Sequence, residues 1–341
     1  MKEYLLQLAE QKSFSEYQMQ EAVDFLLGEE VSESEIAAFL MGLKSKGETV
    51  DEIVGIVKAM KANTLPFKKK FVNAIDNCGT GGDGSSSFNV STTSAFVLAG
   101  AGIPVAKHGN RSVSSKTGSA DVLEYLGVNL NLPVESTEEL LEEVGLAFLF
   151  APHVHPKLKK VMTVRRQLKI PTIFNFIGPL TNPIELEYQL LGVYRRDLLN
   201  VFAEVLKQLG RKRAVVINGA GFMDEASLQG ENHFTLLEDG HISNHLFTPE
   251  EFDLPVYDNS SIKGGDSKDN AEILLDVLKG KRGAYRDTVL LNAGIGIYTA
   301  GKAGTIVAGV ELAREVIDSG AAIEKLNTLI EKSRAKQREA I

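Results

Sequence analysis

The sequence predicts an α/β protein in which N-terminal helices precede a larger part built on a mainly parallel sheet. Near the N-terminus, apolar residues recur at helical spacing behind two capping signals. From about residue 71 onwards, short apolar runs alternate with helix-like segments, as in βαβ units. The 341 residues, 43% hydrophobic and 24% charged, are enough for one large domain or two unequal ones.

Two capping boxes define the predicted N-terminal helices. Ser32–Glu35 and Thr49–Glu52 have the Ser/Thr-x-x-Glu form, in which the two side chains satisfy each other's backbone donors. Behind each box the apolar residues share one helical face, namely Ile36, Phe39, Leu40 and Leu43 in the first segment and Ile53, Ile56, Val57 and Met60 in the second. Such faces need partners, and neighbouring helices supply them most simply.

The strands of the sheet are predicted from short β-rich runs that end in turn residues. The runs are Phe71–Ile75, Ile103–Ala106, Ala214–Gly219 and Val289–Gly294. Helix-like segments lie around them, among them Ser94–Ala99 and Asp197–Leu209. Ligands of such sheets bind beyond the carboxyl ends of the strands, so we expect the segments that follow these runs to form the site.

A glycine-rich segment after the first run predicts a phosphate site. Gly79–Thr92 reads GTGGDGSSSFNVST, and glycines at a strand-to-helix turn let backbone N–H groups approach an anion. Asn89, Ser91 and Thr92 add side-chain donors, whereas Asp83 requires a metal or a sugar hydroxyl beside it. A flexible Gly/Ser linker is the alternative. The segment fits neither the P-loop nor the dinucleotide-binding pattern, so a different phosphorylated ligand is expected.

A second loop, Lys107–Asp121, brings cations, hydroxyls and glycines together after the second run. A point-charge lysine beside short donors suits phosphate oxygens, and two such loops indicate more than one phosphate group. Solvent exposure of the basic residues and a structural role for His108 are the alternatives.

Adjacent carboxylates at Asp224 and Glu225 follow the Ala214–Gly219 run. Near a phosphate pocket they would repel the ligand unless a divalent cation lay between them, and Mg²⁺ binds through one or two carboxylates plus substrate phosphates. A helix start on the surface is the alternative interpretation of an Asp-Glu pair.

Three further features are candidates for the site or its surroundings. Arg165 and Arg166, on a predicted helix before a Gly-Pro-rich segment, suit a planar carboxylate, although solvated arginines fit equally well. The His153 and His155 pair is poor for zinc and is interpreted as structural or as a pocket wall. Cys78, directly before the glycine turn, fits a small buried residue better than a nucleophile.

Charge and composition limit the partners. Lys and Arg number 37 against 45 Asp and Glu, and the net charge of -8 speaks against nucleic acid as a partner. No apolar run is long enough to span a membrane, and one cysteine cannot form an internal disulfide, so the cytoplasm is the expected location.

Together these segments resemble the anthranilate phosphoribosyltransferase family, which shares its fold with pyrimidine nucleoside phosphorylases. The resemblance runs in order through GTGGDG with NVST, KHGNR with TGSAD, APHVHP, TVRRQL, FNFIGPLTNP and MDE. It implies a small all-helical domain plus a large α/β domain with a mainly parallel central sheet. It also implies transfer of the phosphoribosyl group of 5-phosphoribosyl 1-diphosphate (PRPP) to the amine of anthranilate, with release of diphosphate, in tryptophan biosynthesis.

The resemblance assigns site residues position by position. PRPP would be bound by Gly79, Gly82, Asp83, Ser87, Asn89, Val90, Ser91, Thr92, Lys107, His108, Gly109, Asn110, Arg111, Ser112, Val113, Ser114, Ser115 and Ser119. Anthranilate would be faced by Gly79, Asn110 and Arg165. Mg²⁺ would be held by Ser91, Asp224 and Glu225.

The implied chemistry needs no protein nucleophile. Lys107 and Mg²⁺ would stabilise charge on the departing diphosphate, and His108 is the candidate that collects a late proton, unless it only lines the wall. The implied domains are 1–70 plus 163–183 and 71–162 plus 184–341, and we expect a homodimer. The rival functions are a pyrimidine nucleoside phosphorylase of the same fold and a non-catalytic nucleic-acid-binding relative.

Overall fold

Capped helices open the chain, as the sequence predicts. The computed structural model describes residues 1–112 and 116–339, and its first helices are α1 (Lys2–Ala9), α2 (Glu16–Leu26), α3 (Glu33–Lys46) and α4 (Val50–Ala62). At the starts of α3 and α4 the predicted capping boxes are present in full, with Ser32 paired to Glu35 and Thr49 to Glu52. These two predicted helices are confirmed.

A single sheet organises the rest of the described chain. Its seven strands are β1 (Ile75–Gly79), β2 (Val105–Gly109), β3 (Leu146–Phe150), β4 (Tyr188–Gly192), β5 (Arg213–Asn218), β6 (Asn232–Glu238) and β7 (His241–Phe247). They lie in the order β3-β2-β1-β4-β5-β6-β7. All pairings from β3 to β5 are parallel, whereas β6 and β7 add an antiparallel edge. The predicted mainly parallel sheet is confirmed.

Helices cover both faces of this sheet. They are α5 (Val90–Gly100), α6 (Ser119–Leu126), α7 (Val134–Val144), α8 (Ala151–Val154), α9 (Lys159–Leu168), α10 (Leu199–Gln208), α11 (Ser267–Leu278), α12 (Ala284–Thr299), α13 (Ile306–Asp318) and α14 (Ala321–Glu339). One apolar core joins α5, α12, α13 and α14 to one sheet face. A second core joins α1 to α4 with α9, α10 and the other face.

The sheet is arranged so that alternate strand residues serve different cores. Leu190 of β4 belongs to the first core and its neighbour Leu191 to the second. This is the period-two alternation of a strand buried on both faces. The helical N-terminal part is therefore continuous in packing with one side of the sheet.

Two predicted strands begin too early. The runs Phe71–Ile75 and Ile103–Ala106 predict strands that the structure places later, at Ile75–Gly79 and Val105–Gly109. The reason is that both strands carry buried polar residues in place of an apolar run, including Asp76 and Lys107. The predicted strand at Ala214–Gly219 is confirmed as β5, and the helices predicted at Ser94–Ala99 and Asp197–Leu209 correspond to α5 and α10.

The predicted strand at Val289–Gly294 is wrong. These residues lie inside α12, which is buried on nearly all sides. A helix without a solvent face has no 3.6-residue alternation of apolar and polar residues, and its short apolar run is then indistinguishable from a buried strand. Gly294 also packs so closely against Val310 of α13 that a larger side chain would overlap it.

Among the described residues, none of the helices combines the length and the apolar character that crossing a membrane requires.

Candidate active site

The glycine-rich segment forms an open loop between β1 and α5. Gly81, Gly82 and Gly84 have φ values of 66°, 83° and 72°, a left-handed conformation that favours glycine. No atom lies within 4 Å of the position that a side chain would take at Gly81 or Gly84. Beyond this open space, α5 begins at Val90, and the side chain of Asn89 does not cap it. The first N–H groups of the helix are thus available for an anion.

Asn89 is held in place from a neighbouring element. Its Oδ1 accepts a hydrogen bond from Asn270 Nδ2 at 2.9 Å, and its Nδ2 donates to the carbonyl of Thr117 at 3.4 Å. The Gly264–Gly265 segment lies behind the loop, because Gly264 N donates to Ser86 O at 2.9 Å. Asn270 was not predicted as a site residue, and no motif in the sequence marks it.

Glycine is required at the ends of β1 and β4 for a second reason. A Cβ at Gly79 would overlap the carboxylate of Asp224, and a Cβ at Gly192 would overlap the backbone carbonyl of Asp224. The two glycines therefore let the Asp224 turn lie directly across the strand ends. Gly79 was predicted, whereas Gly192 was missed, although it is the residue that ends an apolar strand in the sequence.

Three carboxylates meet over this loop. Asp224 Oδ2 accepts from Gly81 N at 2.6 Å, and Asp83 Oδ2 accepts from Asp224 N at 3.4 Å. Ser91, in the first turn of α5, faces the Glu225 carboxylate. The structure thus brings together the four acidic and hydroxyl residues that the sequence placed at a metal and phosphate site.

Burial and mutual repulsion make this cluster favourable for a cation. Burial, with the negative charges of Asp83 and Glu225, raises the pKa of Asp224 well above its ordinary value. Burial likewise raises the pKa of Glu225, while Lys107 and Ser91 oppose the shift. Carboxylates held close together without a matching cation fit a divalent ion.

The protein groups would have to share such an ion with a ligand. Within residues 1–112 and 116–339, no group of three or more His, Cys, Asp or Glu side chains has the arrangement of a complete metal site. Carboxylate and hydroxyl oxygens are nevertheless the donors that Mg²⁺ prefers, and it commonly completes its shell with substrate phosphates and water. The residues present therefore fit a Mg²⁺ ion that is bound together with a phosphorylated ligand.

Lys107 lies beneath the glycine loop. Its side chain is buried, and Nζ donates to the carbonyl of Asn77 at 2.8 Å. Asn77 Nδ2 in turn donates to Ser91 O at 2.8 Å, while its Oδ1 is buried and has no partner among the described residues. A buried cation thus sits under the carboxylates and next to the start of α5.

His108 occupies the opposite face of β2 and lines a wall. Its Nδ1 lies 3.1 Å from Gly178 O, and its ring meets that of His155 edge-on at 5.2 Å. Burial lowers the pKa of His108 to about 3 and that of His155 to about 4. Both imidazoles are therefore neutral near pH 7, and this geometry favours the wall role of His108 over the role of a base.

The rest of the second loop is tied to α6. The Arg111 guanidinium pairs with Asp121 and Glu124 and lies over the Phe150 ring at 5.4 Å. Ser112 N donates to Asp121 Oδ2 at 3.1 Å. In this arrangement Arg111 is engaged by carboxylates and does not point to the glycine loop as a free cation.

Backbone contacts hold the start of α6 against the end of β2. Asn110 O accepts from Ala120 N and from Ser119 Oγ, at 3.2 and 3.3 Å. A Cβ at Gly109 would approach Ser119 Oγ to 2.5 Å, so glycine permits this contact. The predicted residues Val113, Ser114 and Ser115 lie outside the described residues.

The remaining predicted phosphate residues lie on the loop or in the first turn of α5. Ser87 N donates to Ser85 Oγ at 3.2 Å, and Ser87 forms a bridge with Lys263. Val90 and Thr92 are buried in the first turn of α5. Their backbone positions, rather than exposed side chains, bring them to the site.

Arg165 projects from α9, in the part of the chain that packs with the N-terminal helices. Its Nη2 donates to Asn175 Oδ1 and its Nη1 to Met162 Sδ, both at 3.1 Å. The guanidinium lies over the Phe174 ring at 5.5 Å, and burial lowers its pKa. In the described part of the chain no carboxylate pairs with it. No described contact joins Arg165 to Gly79 or Asn110 directly.

Buried polar residues connect the Arg165 side to the sheet. Asn182 Nδ2 donates to Asp76 Oδ2 at 2.9 Å and to Ala106 O at 2.7 Å. Gln189 of β4 donates to Pro179 O at 2.7 Å. These contacts fix the segment between Asn175 and Asn182 on the strand ends. Asn182 was visible in the Gly-Pro-rich motif, but nothing in the sequence assigned its partner.

Comparisons with known proteins agree with this architecture. Residues 2–64 match the helical bundle domain of the glycosyl transferase family, and residues 72–323 match its a/b domain. The helical start, the sheet and its strand-end site are thus those of a glycosyl transferase of this two-part class.

Individual relatives narrow the class. An anthranilate phosphoribosyltransferase of Bacillus cereus (strain B4264) is 56% identical over 98% of both chains. The crystal structure of the Thermus thermophilus enzyme of that name is 39% identical, with a TM-score of 0.92 over 97% of this chain and 99% of that one. The Saccharomyces cerevisiae enzyme in complex with PRPP and Mg is 25% identical, with a TM-score of 0.89 over 98% of this chain and 97% of that one. The chain belongs to the anthranilate phosphoribosyltransferase family.

Proposed function

We propose that this protein transfers the phosphoribosyl group of PRPP to the amine of anthranilate, giving N-(5-phosphoribosyl)anthranilate and diphosphate in tryptophan biosynthesis. The observation that carries the proposal is the contact between the left-handed glycine loop and the Asp224 turn, which joins an anion site to a carboxylate pair. The 56% identical relative and the yeast complex with PRPP and Mg support the same donor and acceptor.

The donor binds at the carboxyl ends of β1 and β2. Gly79, Gly82, Ser87, Asn89, Val90 and Thr92 present backbone and side-chain donors from the loop and from α5. The stretch 107–112 and Ser119 extend the same site, with Val113, Ser114 and Ser115 assigned by the resemblance alone.

Asp83, Ser91, Asp224 and Glu225 would hold Mg²⁺ together with the diphosphate. The ion would supply charge neutralisation for the departing diphosphate. The raised pKa values of Asp224 and Glu225 support this assignment, because burial and repulsion leave the pair in need of a cation.

The acceptor binds on the side of Arg165. Its guanidinium, which lacks a carboxylate partner in residues 1–112 and 116–339, would hold the anthranilate carboxylate through two parallel hydrogen bonds. Asn110 and Gly79 bound the same space from the donor side.

The reaction exchanges one bond at ribose C1. The bond from C1 to the diphosphate oxygen breaks, the anthranilate nitrogen forms the new bond, and the diphosphate leaves with both bonding electrons. Lys107 opposes the negative charge that grows on the diphosphate. The aryl amine is neutral and nucleophilic, so its orientation against C1 supplies much of the acceleration. The proton it loses passes to solvent, because a histidine with a pKa of about 3 accepts protons poorly near pH 7.

We also retain three proposals on organisation. The domain division 1–70 plus 163–183 and 71–162 plus 184–341 is supported by the shared core of α9 with α1 to α4. A homodimer is supported by the exposed apolar side chains Leu6, Tyr17 and Met41 on α1 to α3. A cytoplasmic location is supported by Cys78, a buried free thiol that suits a reducing compartment.

The test follows anthranilate fluorescence while PRPP and Mg²⁺ are added in turn. We expect loss of the signal only when protein and both additions are present. A parallel arm supplies uridine and phosphate. Release of uracil there, with no change in anthranilate, would replace the proposal with a nucleoside phosphorylase.

A further inference from the structure

The turn that carries Asp224 and Glu225 is fixed at both ends. On its N-terminal side, Gly219 N donates to Met223 O at 2.9 Å, and Asn218 Nδ2 donates to Val193 O at 2.8 Å. Between these anchors and Ala226, the two carboxylates face the glycine loop. What holds the C-terminal side therefore determines where both carboxylates lie.

That side is held by a single side chain from another element. Asn292 Oδ1 accepts from Ala226 N at 2.9 Å, and its Nδ2 donates to Ala226 O at 2.9 Å. The same Nδ2 donates to Thr288 O at 2.9 Å, which fixes the amide against its own helix. Asn292 is 2% exposed and Ala226 0%, so water does not substitute for either bond.

The helix behind this contact is rigid. Asn292 lies in the middle of α12, whose neighbours Leu290, Leu291 and Ala293 are all fully buried in the first core. A backbone peptide clamped by a buried amide on such a helix has little freedom. Ala226 directly follows Glu225, so the clamp acts one residue away from the carboxylate.

We propose that Asn292 is a positioning residue that sets the Asp224–Glu225 pair for the metal–diphosphate complex. The proposal rests on the proposed function of the site. Residues that orient metal ligands contribute strongly to metal affinity, and their loss costs about 10–100-fold. Asn292 touches neither substrate nor metal, and its effect passes through the backbone of Ala226.

The test measures binding rather than turnover. PRPP is titrated calorimetrically into the full chain at a series of Mg²⁺ concentrations, and Mn²⁺ binding in the presence of inorganic diphosphate is followed by electron paramagnetic resonance. We expect Asn292→Leu to raise the Mg²⁺ concentration for half-maximal PRPP binding about 10–100-fold and to weaken Mn²⁺ binding in parallel. The KM for anthranilate should stay unchanged.

Asn292→Asp provides a second variant if the leucine form does not fold. The aspartate keeps the acceptor for Ala226 N but loses both Nδ2 donations, and we expect the same shift in the same direction. A normal Mg²⁺ requirement in a folded Asn292→Asp protein would overturn the proposal.

A matched control lies in the same loop. Asn232 is also fully buried and clamps Ser227 in the same two-bond manner, with Ser227 N at 2.7 Å and Ser227 O at 2.9 Å. Asn232→Leu should lower the melting temperature while leaving the Mg²⁺ requirement within about twofold of wild type. Equal shifts in both variants would assign the effect to the loop as a whole and overturn the role of Asn292. If the wild-type protein itself bound no PRPP with Mg²⁺, the proposed function would fail first.

Discussion

The donor side and the acceptor side of the site are built differently. On the donor side, left-handed glycines, strand ends and buried amides fix the backbone before any ligand arrives. On the acceptor side, one long guanidinium reaches from α9, which packs with the N-terminal helices. The difference indicates that the protein binds PRPP on a preformed surface and completes the anthranilate site around it.

The largest expected effect removes the carboxylates of the donor side. Asp224→Asn with Glu225→Gln should abolish most stimulation by Mg²⁺ and lower kcat/KM by about a thousandfold, since metal neutralisation of a leaving group contributes several kcal/mol. Steady-state kinetics against Mg²⁺ concentration checks this. An unchanged metal dependence would break the comparison at its donor half.

The next effect tests the packing between Gly79 and Asp224. Gly79→Ala forces a Cβ into the Asp224 carboxylate, so the KM for PRPP should rise about 10–100-fold, equivalent to the roughly 1–3 kcal/mol that overpacking costs. The KM for anthranilate should change little. Gly304→Ala is the control, because no atom lies within 4 Å of its Cβ position. Similar kinetics in the two variants would mean that the close approach has no functional weight.

Arg165→Ala should affect the other half alone. Loss of a charge-assisted pair costs roughly 1.5–3 kcal/mol, so the KM for anthranilate should rise about 10–150-fold while that for PRPP stays within about twofold. Arg166→Ala is the matched control, since Arg166 is exposed and its Nη2 donates only to Thr163 Oγ1 among its described contacts. Equal effects of Arg165→Ala on both substrates would remove the carboxylate-clamp assignment.

The smallest effect concerns the neutral histidine wall between the two halves. Because the folded pKa of His155 is about 4, below the ordinary value of about 6.5, the unfolded chain takes up its proton first as the pH falls. Its contribution to stability is therefore complete above about pH 6.5 and is lost between that pH and about 4.

Melting temperature against pH measures this loss. Between pH 7 and 5, wild type should lose about 2–4 °C more than His155→Gln. His241→Gln, at an exposed position on β7, should follow wild type. Parallel curves for wild type and His155→Gln would mean that the wall is not neutral.

The sequence predicts the fold class and much of the donor side because both leave local signals. Capping boxes mark α3 and α4, and the glycines of the loop mark the turn whose left-handed φ values only they adopt easily. The carboxylate pair also came from local pattern, since its charges conflict with a phosphate site.

What the sequence could not supply are contacts between distant segments. Asn292 lies 66 positions from Ala226, and Asn270 lies 181 positions from Asn89. The polar strands β1 and β2 were placed too early for the same reason, since Asp76 and Lys107 are tolerated inside only because Asn182 and Asn77 pair with them. The helix α12 was mistaken for a strand because burial on all sides removed its period.

The most direct test of the difference between the two sides titrates each substrate separately into the free protein by calorimetry. We predict saturable heat for PRPP with Mg²⁺, with the same dissociation constant in Arg165→Ala, and much weaker heat for anthranilate alone. Absence of heat for PRPP at saturating Mg²⁺, or its loss in Arg165→Ala, would contradict a donor site that exists before the acceptor arrives.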